Sequence, residues 1–280
     1  MKSFERLFEE DVAEFVEMKQ RRFHTFKKLS TKIQMVAEYL SKHSINNVIV
    51  GVSGGIDSAV VFALLTQVKE QYLPALKIRG FCITFDEVYG HVFNASYIDL
   101  MRDTFCRNDD ITITTIDGTA TLKGLIGDLW LSNDKQLLAQ ASYALRYQMF
   151  FTMAQVHGGI TIGTTNRDEF EYVGWFGKNS DMVVDLQIIT DWYKLEVVEA
   201  AKALGVPPKI INRVPTGDLV DGTSDEANFG CSYNELAYFK QAQDFFPDAF
   251  LKCKYEKVIA LHQKNAHKYQ GQTFNPVFVK

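Results

Sequence analysis

The sequence predicts an α/β fold built on a doubly wound parallel sheet flanked by helices. Between residues 47 and 164, short β-branched runs alternate with segments of helical length, the order typical of such sheets. The first of these runs, at 47–52, is short and rich in β-branched residues, as expected of a buried strand. A hydrophobic content of 46% and a charged content of 23% match folded proteins and exclude global disorder.

The elements follow in order from the spacing of apolar residues. Two helices come first, at 4–20 and 25–42, because apolar residues recur there at helical spacing. The predicted strands are 47–52, 77–85, 111–116 and 159–164, and the helices that accompany them are 57–70, 91–106 and 134–157. For the less regular last third we predict a fifth strand at 183–189, a helix at 192–204, a mobile Gly/Asp-rich loop at 215–230, and helices at 232–244 and 246–266.

Charge and cysteine usage narrow the class of protein. Lysine and arginine number 30 against 34 acidic residues, a net charge of −4, so a broad electrostatic attraction to nucleic acid is not expected. No apolar stretch is long enough to cross a bilayer, and the acidic first helix lacks the apolar centre of a signal peptide. The cysteines Cys82, Cys106, Cys231 and Cys253 form no C-x-x-C pair, which is typical of thiols in a reducing compartment. We therefore expect a soluble, cytoplasmic protein.

The strongest local motif is Gly-Val-Ser-Gly-Gly-Ile-Asp-Ser at 51–58, between the first predicted strand and the next helix. Ligands of doubly wound sheets bind beyond the carboxyl ends of the strands, where this turn lies. Gly54 and Gly55 permit backbone angles closed to other residues. Ser53 and Ser58 offer hydroxyl donors, and the helix offers unpaired N–H groups. The motif therefore predicts a cradle for phosphate or pyrophosphate.

This turn matches neither of the two common phosphate motifs. No Gly-Lys-Ser/Thr ends it, so it is not a Walker A loop, and it lacks the G-x-G-x-x-G of dinucleotide folds. A simpler alternative is a glycine turn in which a serine or aspartate caps the helix. Asp57 argues against that alternative, because a carboxylate beside a phosphate is repelled unless a cation such as Mg²⁺ lies between them.

Further polar segments follow the turn in a definite order. They are Gly-Thr-Thr-Asn-Arg-Asp-Glu at 163–169, Phe-Gly-Lys at 176–178, Asp181, Asp185, Asp-Trp-Tyr-Lys at 191–194, Pro-Thr-Gly-Asp-Leu at 215–219, Thr-Ser-Asp-Glu at 223–226 and His-Lys at 267–268. The S-G-G-x-D-S turn resembles that of the N-type ATP pyrophosphatases, which cleave ATP between its α- and β-phosphates. The ordered set, from 47 to 276, is similar to the ammonia-dependent NAD synthetases.

The resemblance implies a Rossmann-like fold of the adenine nucleotide alpha hydrolase type and a single domain over 1–280. N-terminal helices would occupy 1–45, and the ATP pyrophosphatase core with C-terminal helices would occupy 46–280, without a glutaminase domain. The implied activity is that of a ligase forming a C–N bond, which turns deamido-NAD, ATP and ammonia into NAD, AMP and pyrophosphate. The family also implies a homodimer, in which Phe4, Phe8 and Phe15 would serve assembly. The source of the ammonia, free or delivered by a separate protein, stays open.

Matching positions imply the site residues. Asp57, Glu169 and Lys194 would be catalytic, and Asp57 and Glu169 would ligate Mg²⁺. The residues expected to bind ATP are Gly51, Val52, Ser53, Gly54, Gly55, Ile56, Asp57, Ser58, Thr164, Lys194 and Thr216. The residues expected around deamido-NAD are Arg146, Lys178, Asp185, His267 and Lys268.

One departure from the family pattern bears on the substrate, and two alternatives stay open. Ala144 stands where such synthetases carry a substrate-contacting arginine, although Arg146 is retained. One alternative is another N-type ATP pyrophosphatase that activates a different substrate. The other is a non-catalytic nucleotide-binding paralogue. Retention of Asp57, Glu169, Lys194 and Thr216 together favours catalysis, since binding alone would not need both carboxylates.

Overall fold

The computed structural model describes residues 2–85, 95–128, 135–216 and 223–269. Within these ranges five strands form one parallel sheet of spatial order β3-β2-β1-β4-β5. The strands are β1 (Asn47–Gly51), β2 (Lys77–Thr84), β3 (Ile111–Asp117), β4 (Ile160–Gly163) and β5 (Leu186–Gln187). The predicted doubly wound α/β class is confirmed.

The order of the strands places the site. β1 lies between β2 and β4. Val50 of β1 stands opposite Gly80 of β2 on one side and opposite Ile162 of β4 on the other. The order therefore reverses next to β1, and in such sheets the crevice beyond the carboxyl ends at this point takes the ligand. The turn that follows β1 and the segment that follows β4 flank this crevice.

Helices cover the sheet and extend beyond it. They are α1 (Lys2–Thr25), α2 (Lys28–Lys42), α3 (Ile56–Gln71), α4 (Ser96–Phe105), α5 (Thr119–Asp128), α6 (Lys135–His157), α7 (Lys194–Ala203), α8 (Pro208–Ile211), α9 (Asp225–Phe229), α10 (Tyr233–Ala242), α11 (Asp248–Lys254) and α12 (Glu256–Tyr269). α3 is buried along most of its length, because it packs between the sheet and α2, α7 and α8. No helix in the described ranges is both long and apolar enough to cross a membrane.

A second apolar core joins α1 to the C-terminal helices. Phe8 is fully buried and meets Tyr238, Phe246 and Phe250 edge to face, with ring centroids 5.5–5.8 Å apart. Phe15 is also buried, 5.5 Å from the ring of Tyr238. The expectation that Phe8 and Phe15 serve assembly is wrong, because both are used inside the chain's own core. An amphipathic helix shows that a face is buried but not by which partner.

Several predicted elements need correction. The fifth strand is only the two residues of β5, and the helix predicted at 246–266 is two helices that meet at Tyr255. Part of the loop predicted at 215–230 is helix α9, which Ser224 caps by accepting a hydrogen bond from the Ala227 N–H. Residues 217–222 of that loop, 91–94 of the predicted fourth helix, and 270–276 at the end of the family match lie outside the described residues. Helices α5 and α8 were not predicted.

Candidate active site

The glycine turn joins β1 to α3 at the carboxyl edge of the sheet. Gly54 has φ of +76°, and a Cβ there would lie 2.9 Å from Cβ of Tyr97, so glycine is required. Gly55 has φ of −88° and ψ of 164°, which any residue adopts. The prediction of special backbone angles is therefore confirmed for Gly54 and wrong for Gly55. Gly51, at the start of the motif, packs against the ring of Phe150. The backbone N–H of Val52 donates a hydrogen bond to the Phe81 carbonyl.

The two serines of the turn hold its shape. The Ser58 hydroxyl donates to the Gly55 carbonyl at 3.0 Å and lies 3.2 Å from the Ser53 hydroxyl. Gly55 is the residue before α3, and no side chain caps the helix there. The alternative of a Ser or Asp cap is thus not what the structure contains, and the first amides of α3, from Ile56 onward, are left to bind an anion.

Three predicted catalytic residues converge next to the turn. Lys194 Nζ donates to Asp57 Oδ2 at 2.6 Å and lies 4.0 Å from Glu169 Oε1. Asp57 is in the first turn of α3, Glu169 begins a π-helical turn (Glu169–Val173), and Lys194 begins α7. Elements from three separate parts of the chain therefore deliver one ammonium and two carboxylates to a single point.

Asn166 connects the two carboxylates. Its Nδ2 donates to Asp57 Oδ1 at 3.1 Å, and its backbone N–H lies 3.3 Å from Glu169 Oε2. Its Oδ1 accepts from the Glu169 backbone N–H at 3.1 Å, much as a helix-capping asparagine does. Asn166 is fully buried. One side chain therefore fixes both the start of the π-helical turn and the orientation of Asp57.

Asp168 positions Lys194, and Tyr233 positions Glu169. Asp168 Oδ2 accepts from the backbone N–H of Lys194 at 2.6 Å, which anchors the start of α7. The Tyr233 hydroxyl lies 3.3 Å from Glu169 Oε1 and 3.0 Å from Asp225 Oδ2. The ring of Tyr233 lies 4.8 Å from Lys194 Nζ. α9 and α10 thus complete a buried shell around the cluster.

The pKa values reflect this burial. Burial and the negative charge of Asp57 raise the pKa of Glu169 well above its usual range. Burial alone would lower the pKa of Lys194, but Asp57 and Glu169 raise it. Burial raises the pKa of Asp168 to about 7, against the opposing effect of its hydrogen bond from Lys194. Carboxylates crowded in a dry site favour a cation between them.

A cavity of about 350 Å³ lies beside this cluster, within the size range of small-molecule sites, about 300–1,000 Å³. Ile56, Lys194, Arg213, Pro215, Glu226 and Tyr233 are among the residues that line it. Thr216 and Thr164 are both expected to contact ATP. Thr216 follows Pro215 and forms an antiparallel β-bridge with Ser224. Thr164 directly follows β4 and is half-buried.

The residues expected around deamido-NAD lie in separate places. Arg146 on α6 donates to the Ile83 carbonyl at 3.2 Å, near the carboxyl end of β2. Asp185 accepts from the backbone N–H and hydroxyl of Thr161, both at 2.7 Å, and so joins the start of β5 to β4.

Three further dinucleotide candidates lie around one segment. Lys268 on α12 donates to the carbonyls of Gly174 and Phe176 at 3.0 and 2.7 Å. Lys178 is exposed two residues beyond Phe176, and His267 is exposed next to Lys268 on α12. Burial lowers the pKa of Lys268. The structure therefore gives Lys268 a structural contact and leaves the substrate role of all five residues a prediction.

Sequence reasoning assigned no role to five residues of this region: Asn166, Asp168, Arg213, Asp225 and Tyr233. Asn166, Asp168 and Asp225 belong to polar segments that the sequence analysis singled out as motifs. The polarity of these segments was a signal by which the three residues could have been found. Tyr233 and Arg213 stand in no such segment. Only the packing of α8, α9 and α10 brings them to the cluster.

The fold and the cluster define an α/β protein with a polar site at the switch point of a parallel sheet, where such folds bind their ligands. The sequence profile of the NAD synthase family matches residues 28–271. The chain belongs to the NAD synthase family, as the motifs predicted.

Individual proteins agree with this assignment. The chain is 30% identical to an NH(3)-dependent NAD(+) synthetase of Mesoplasma florum over 239 residues, which is 85% of this chain and 92% of that protein. Among solved structures, NMN synthetase from Francisella tularensis has a TM-score of 0.73 at 22% identity, covering 86% of this chain and 94% of that one. NAD+ synthetase from Burkholderia pseudomallei has a TM-score of 0.66 at 21% identity, covering 87% and 89%. The two structures show the shared fold.

Proposed function

We propose that this chain makes NAD from deamido-NAD, ATP and ammonia, and that it releases AMP and pyrophosphate. The observation that carries the proposal is the convergence of Lys194, Asp57 and Glu169 at the first turn of α3, directly beside the glycine turn. Membership of the NAD synthase family, and the likeness to relatives named for ammonia-dependent NAD synthesis, supply the substrates.

Activation of the carboxylate comes first. Ammonia cannot displace oxide from a carboxylate, so a carboxylate oxygen of the nicotinate attacks the α-phosphorus of ATP. The bond from the α-phosphorus to the β-phosphate oxygen breaks, and its electron pair leaves with pyrophosphate. The amides at the start of α3 hold the phosphates, and the Lys194 ammonium lies where it can neutralise charge on them. Positioning and neutralisation are the protein's main contributions to such transfers.

Amide formation follows on the activated acyl group. Ammonia attacks the acyl carbon, and the bond from that carbon to the AMP oxygen breaks, so AMP leaves with the electron pair and the ammonia nitrogen loses a proton. The buried shell of Asn166, Asp168 and Tyr233 keeps the site rigid during both steps. Exclusion of water by such a shell also protects the adenylate from hydrolysis.

We infer that Asp57 and Glu169 hold Mg²⁺ when ATP binds. Mg²⁺ prefers oxygen ligands and is typically bound by one or two carboxylates together with substrate phosphates. The two carboxylates fit this requirement, because both lie within 4.0 Å of the Lys194 ammonium and are largely buried. When bound, the ion supplies positive charge that offsets the charge of the triphosphate.

Arg146, Lys178, Asp185, His267 and Lys268 form the proposed dinucleotide side of the site. Four of them carry or can carry positive charge, which suits the pyrophosphate of deamido-NAD. Lys178 and His267 are exposed, Lys178 two residues beyond Phe176, whose carbonyl Lys268 contacts, and His267 next to Lys268 on α12.

A second candidate substrate is nicotinate mononucleotide, which lacks the adenylyl half of deamido-NAD. Two observations favour it: Ala144 replaces the arginine expected to contact the dinucleotide, and the fold resembles that of an NMN synthetase. The same activation and amidation chemistry would apply.

The proposal includes a homodimer in the cytoplasm, as the resemblance implies. Sedimentation velocity of the purified full chain would give the mass of the assembly. A monomer at micromolar concentration would contradict the dimer without affecting the proposed reaction.

The test of the reaction measures pyrophosphate release and NAD formation by the purified protein. We expect both with deamido-NAD, ATP, ammonium and Mg²⁺, and neither when any one of them is omitted. Nicotinate mononucleotide and substrates of other ATP pyrophosphatases are assayed in parallel. Turnover of another substrate, with none on deamido-NAD, would reassign the enzyme. ATP binding without pyrophosphate release on any substrate would indicate a non-catalytic paralogue.

A further inference from the structure

Arg213 lies against the glycine turn, although it is 160 positions from it in sequence. Its Nη1 donates to the Ser53 carbonyl at 3.3 Å, and the same atom is 3.3 Å from where a Cβ on Gly54 would stand. The guanidinium also faces the ring of Tyr97 at 4.6 Å from the centroid. These contacts hold the side chain at the turn, and within the described residues they leave most of its five N–H donors available.

Arg213 and Lys194 differ in the charged partners that the described residues give them. In the ranges that the structure describes, Arg213 forms no ion pair, whereas Lys194 is paired with Asp57. A guanidinium so placed can bind a phosphate in bidentate fashion, which an ammonium cannot do.

Arg213 and Lys194 both line the cavity of about 350 Å³ beside the turn. An anion in this cavity, held by the first amides of α3, would be within reach of two cations from different elements. The segment from α8 to Pro215 carries Arg213 into the cavity wall.

We propose that Arg213 binds the outer phosphates of ATP and stabilises the pyrophosphate as it leaves. This rests on the proposed function, since it assigns a further substrate-contacting residue to the same reaction. As the bond to the α-phosphorus breaks, negative charge builds up on the departing pyrophosphate, and a fixed guanidinium favours that charge distribution. The contacts with Ser53 and Tyr97 orient the group in advance, so little ordering is needed at that moment.

The test compares Arg213→Gln with Lys209→Gln. Lys209 is a matched control, because its ammonium lies 5.2 Å from the same Tyr97 ring but donates to Ser96 and not to the turn. Calorimetry with inorganic pyrophosphate and Mg²⁺ gives the Kd, and steady-state kinetics give kcat and the KM for ATP and deamido-NAD. Glutamine keeps an N–H donor for Ser53, so the variant tests charge, and thermal unfolding checks that both variants fold.

We expect Arg213→Gln to raise the Kd for pyrophosphate by roughly 10-fold to 100-fold, the usual effect of losing a charge-assisted hydrogen bond, and to lower kcat/KM for ATP similarly. The KM for deamido-NAD should stay unchanged, Arg213→Lys should recover part of the loss, and Lys209→Gln should match the unsubstituted protein. An unchanged pyrophosphate Kd in folded Arg213→Gln would overturn the inference. Failure of the proposed function is a separate outcome: the unsubstituted protein would make no NAD, whatever the pyrophosphate Kd of the variants.

Discussion

Lys194 and Asp57 form an ion pair of 2.6 Å across 137 positions of sequence. The pair joins the start of α7 to the first turn of α3, and it exists because both elements begin at the carboxyl edge of the sheet. Lys194 is 8% exposed and Asp57 19% exposed, so each charge depends on the other to offset its desolvation. The proposed function assigns these two groups to ATP, Lys194 to its phosphates and Asp57 to Mg²⁺.

The first prediction concerns Asp57→Asn. We expect pyrophosphate release to fall at least about 100-fold, because a carboxamide cannot supply the charge that Mg²⁺ and Lys194 need. The free energy of unfolding should fall by about 1–3 kcal/mol, since a buried ammonium loses its nearest partner while Glu169 remains at 4.0 Å. Pyrophosphate assays and urea denaturation measure the two effects.

Asp110→Asn is the matched control, because Asp110 pairs at 3.1 Å with Lys69, a buried lysine near the other end of α3. It should change stability without changing kcat. Full activity of Asp57→Asn would remove Asp57 from the mechanism.

The second prediction concerns Asn166→Ala. The change removes the bridge between Asp57 and Glu169, so we expect kcat/KM for ATP to fall about 10-fold to 100-fold. Loss of its buried hydrogen bonds should cost about 1–3 kcal/mol of stability. Asn265→Ala removes a comparable buried amide, which donates to the Val173 carbonyl at 2.9 Å. If Asn265→Ala lowers kcat/KM for ATP as much as Asn166→Ala does, the effect is one of general destabilisation and the bridging role is refuted.

The parts of the site that sequence predicts are those fixed by local order along the sheet. A strand followed by a glycine turn and a helix places Asp57 at the carboxyl edge, and the segment after β4 places Glu169 at the same edge. The family resemblance added the roles of Glu169 and Lys194. Each of these follows from a motif that is contiguous in the chain.

The rest depends on packing that no local pattern encodes. Tyr233 and Asp225 reach Glu169 only because α9 and α10 fold back over the sheet, and Asp225 lies in a segment whose composition favoured a loop. Phe8 is a second example. Its place in the helical spacing predicts that it is buried, but the helices that bury it come more than 200 residues later in the chain. Sequence spacing gives the face of an element and not its tertiary neighbour.

The third prediction separates the hydrogen bond of Asp168 from its charge. Asp168→Asn keeps an oxygen that can accept from the Lys194 N–H, whereas Asp168→Ala leaves that buried donor without its acceptor. Because burial raises the pKa of Asp168 to about 7, the carboxyl group is partly neutral near pH 7, and we expect Asp168→Asn to keep kcat within about threefold. Asp168→Ala should lower kcat about 10-fold or more by displacing Lys194. Equal losses of kcat in Asp168→Asn and Asp168→Ala, measured at pH 7, would show that the charge of Asp168 matters and not its hydrogen bond.

The last prediction concerns the position where the family resemblance leads us to expect an arginine and the chain has Ala144. Ala144 lies on α6 two residues before Arg146, which is fixed near the end of β2 by its bond to Ile83. Ala144→Arg should lower the KM for deamido-NAD by about 10-fold through a new charge-assisted contact, with the KM for ATP unchanged. Gln148→Arg adds the same charge at an exposed position of the same helix and should change neither constant, so equal effects of the two variants would indicate nonspecific attraction. A KM for deamido-NAD that is unchanged or raised in Ala144→Arg, together with efficient turnover of nicotinate mononucleotide, would mean that the substrate site near Ala144 binds the mononucleotide and not the dinucleotide.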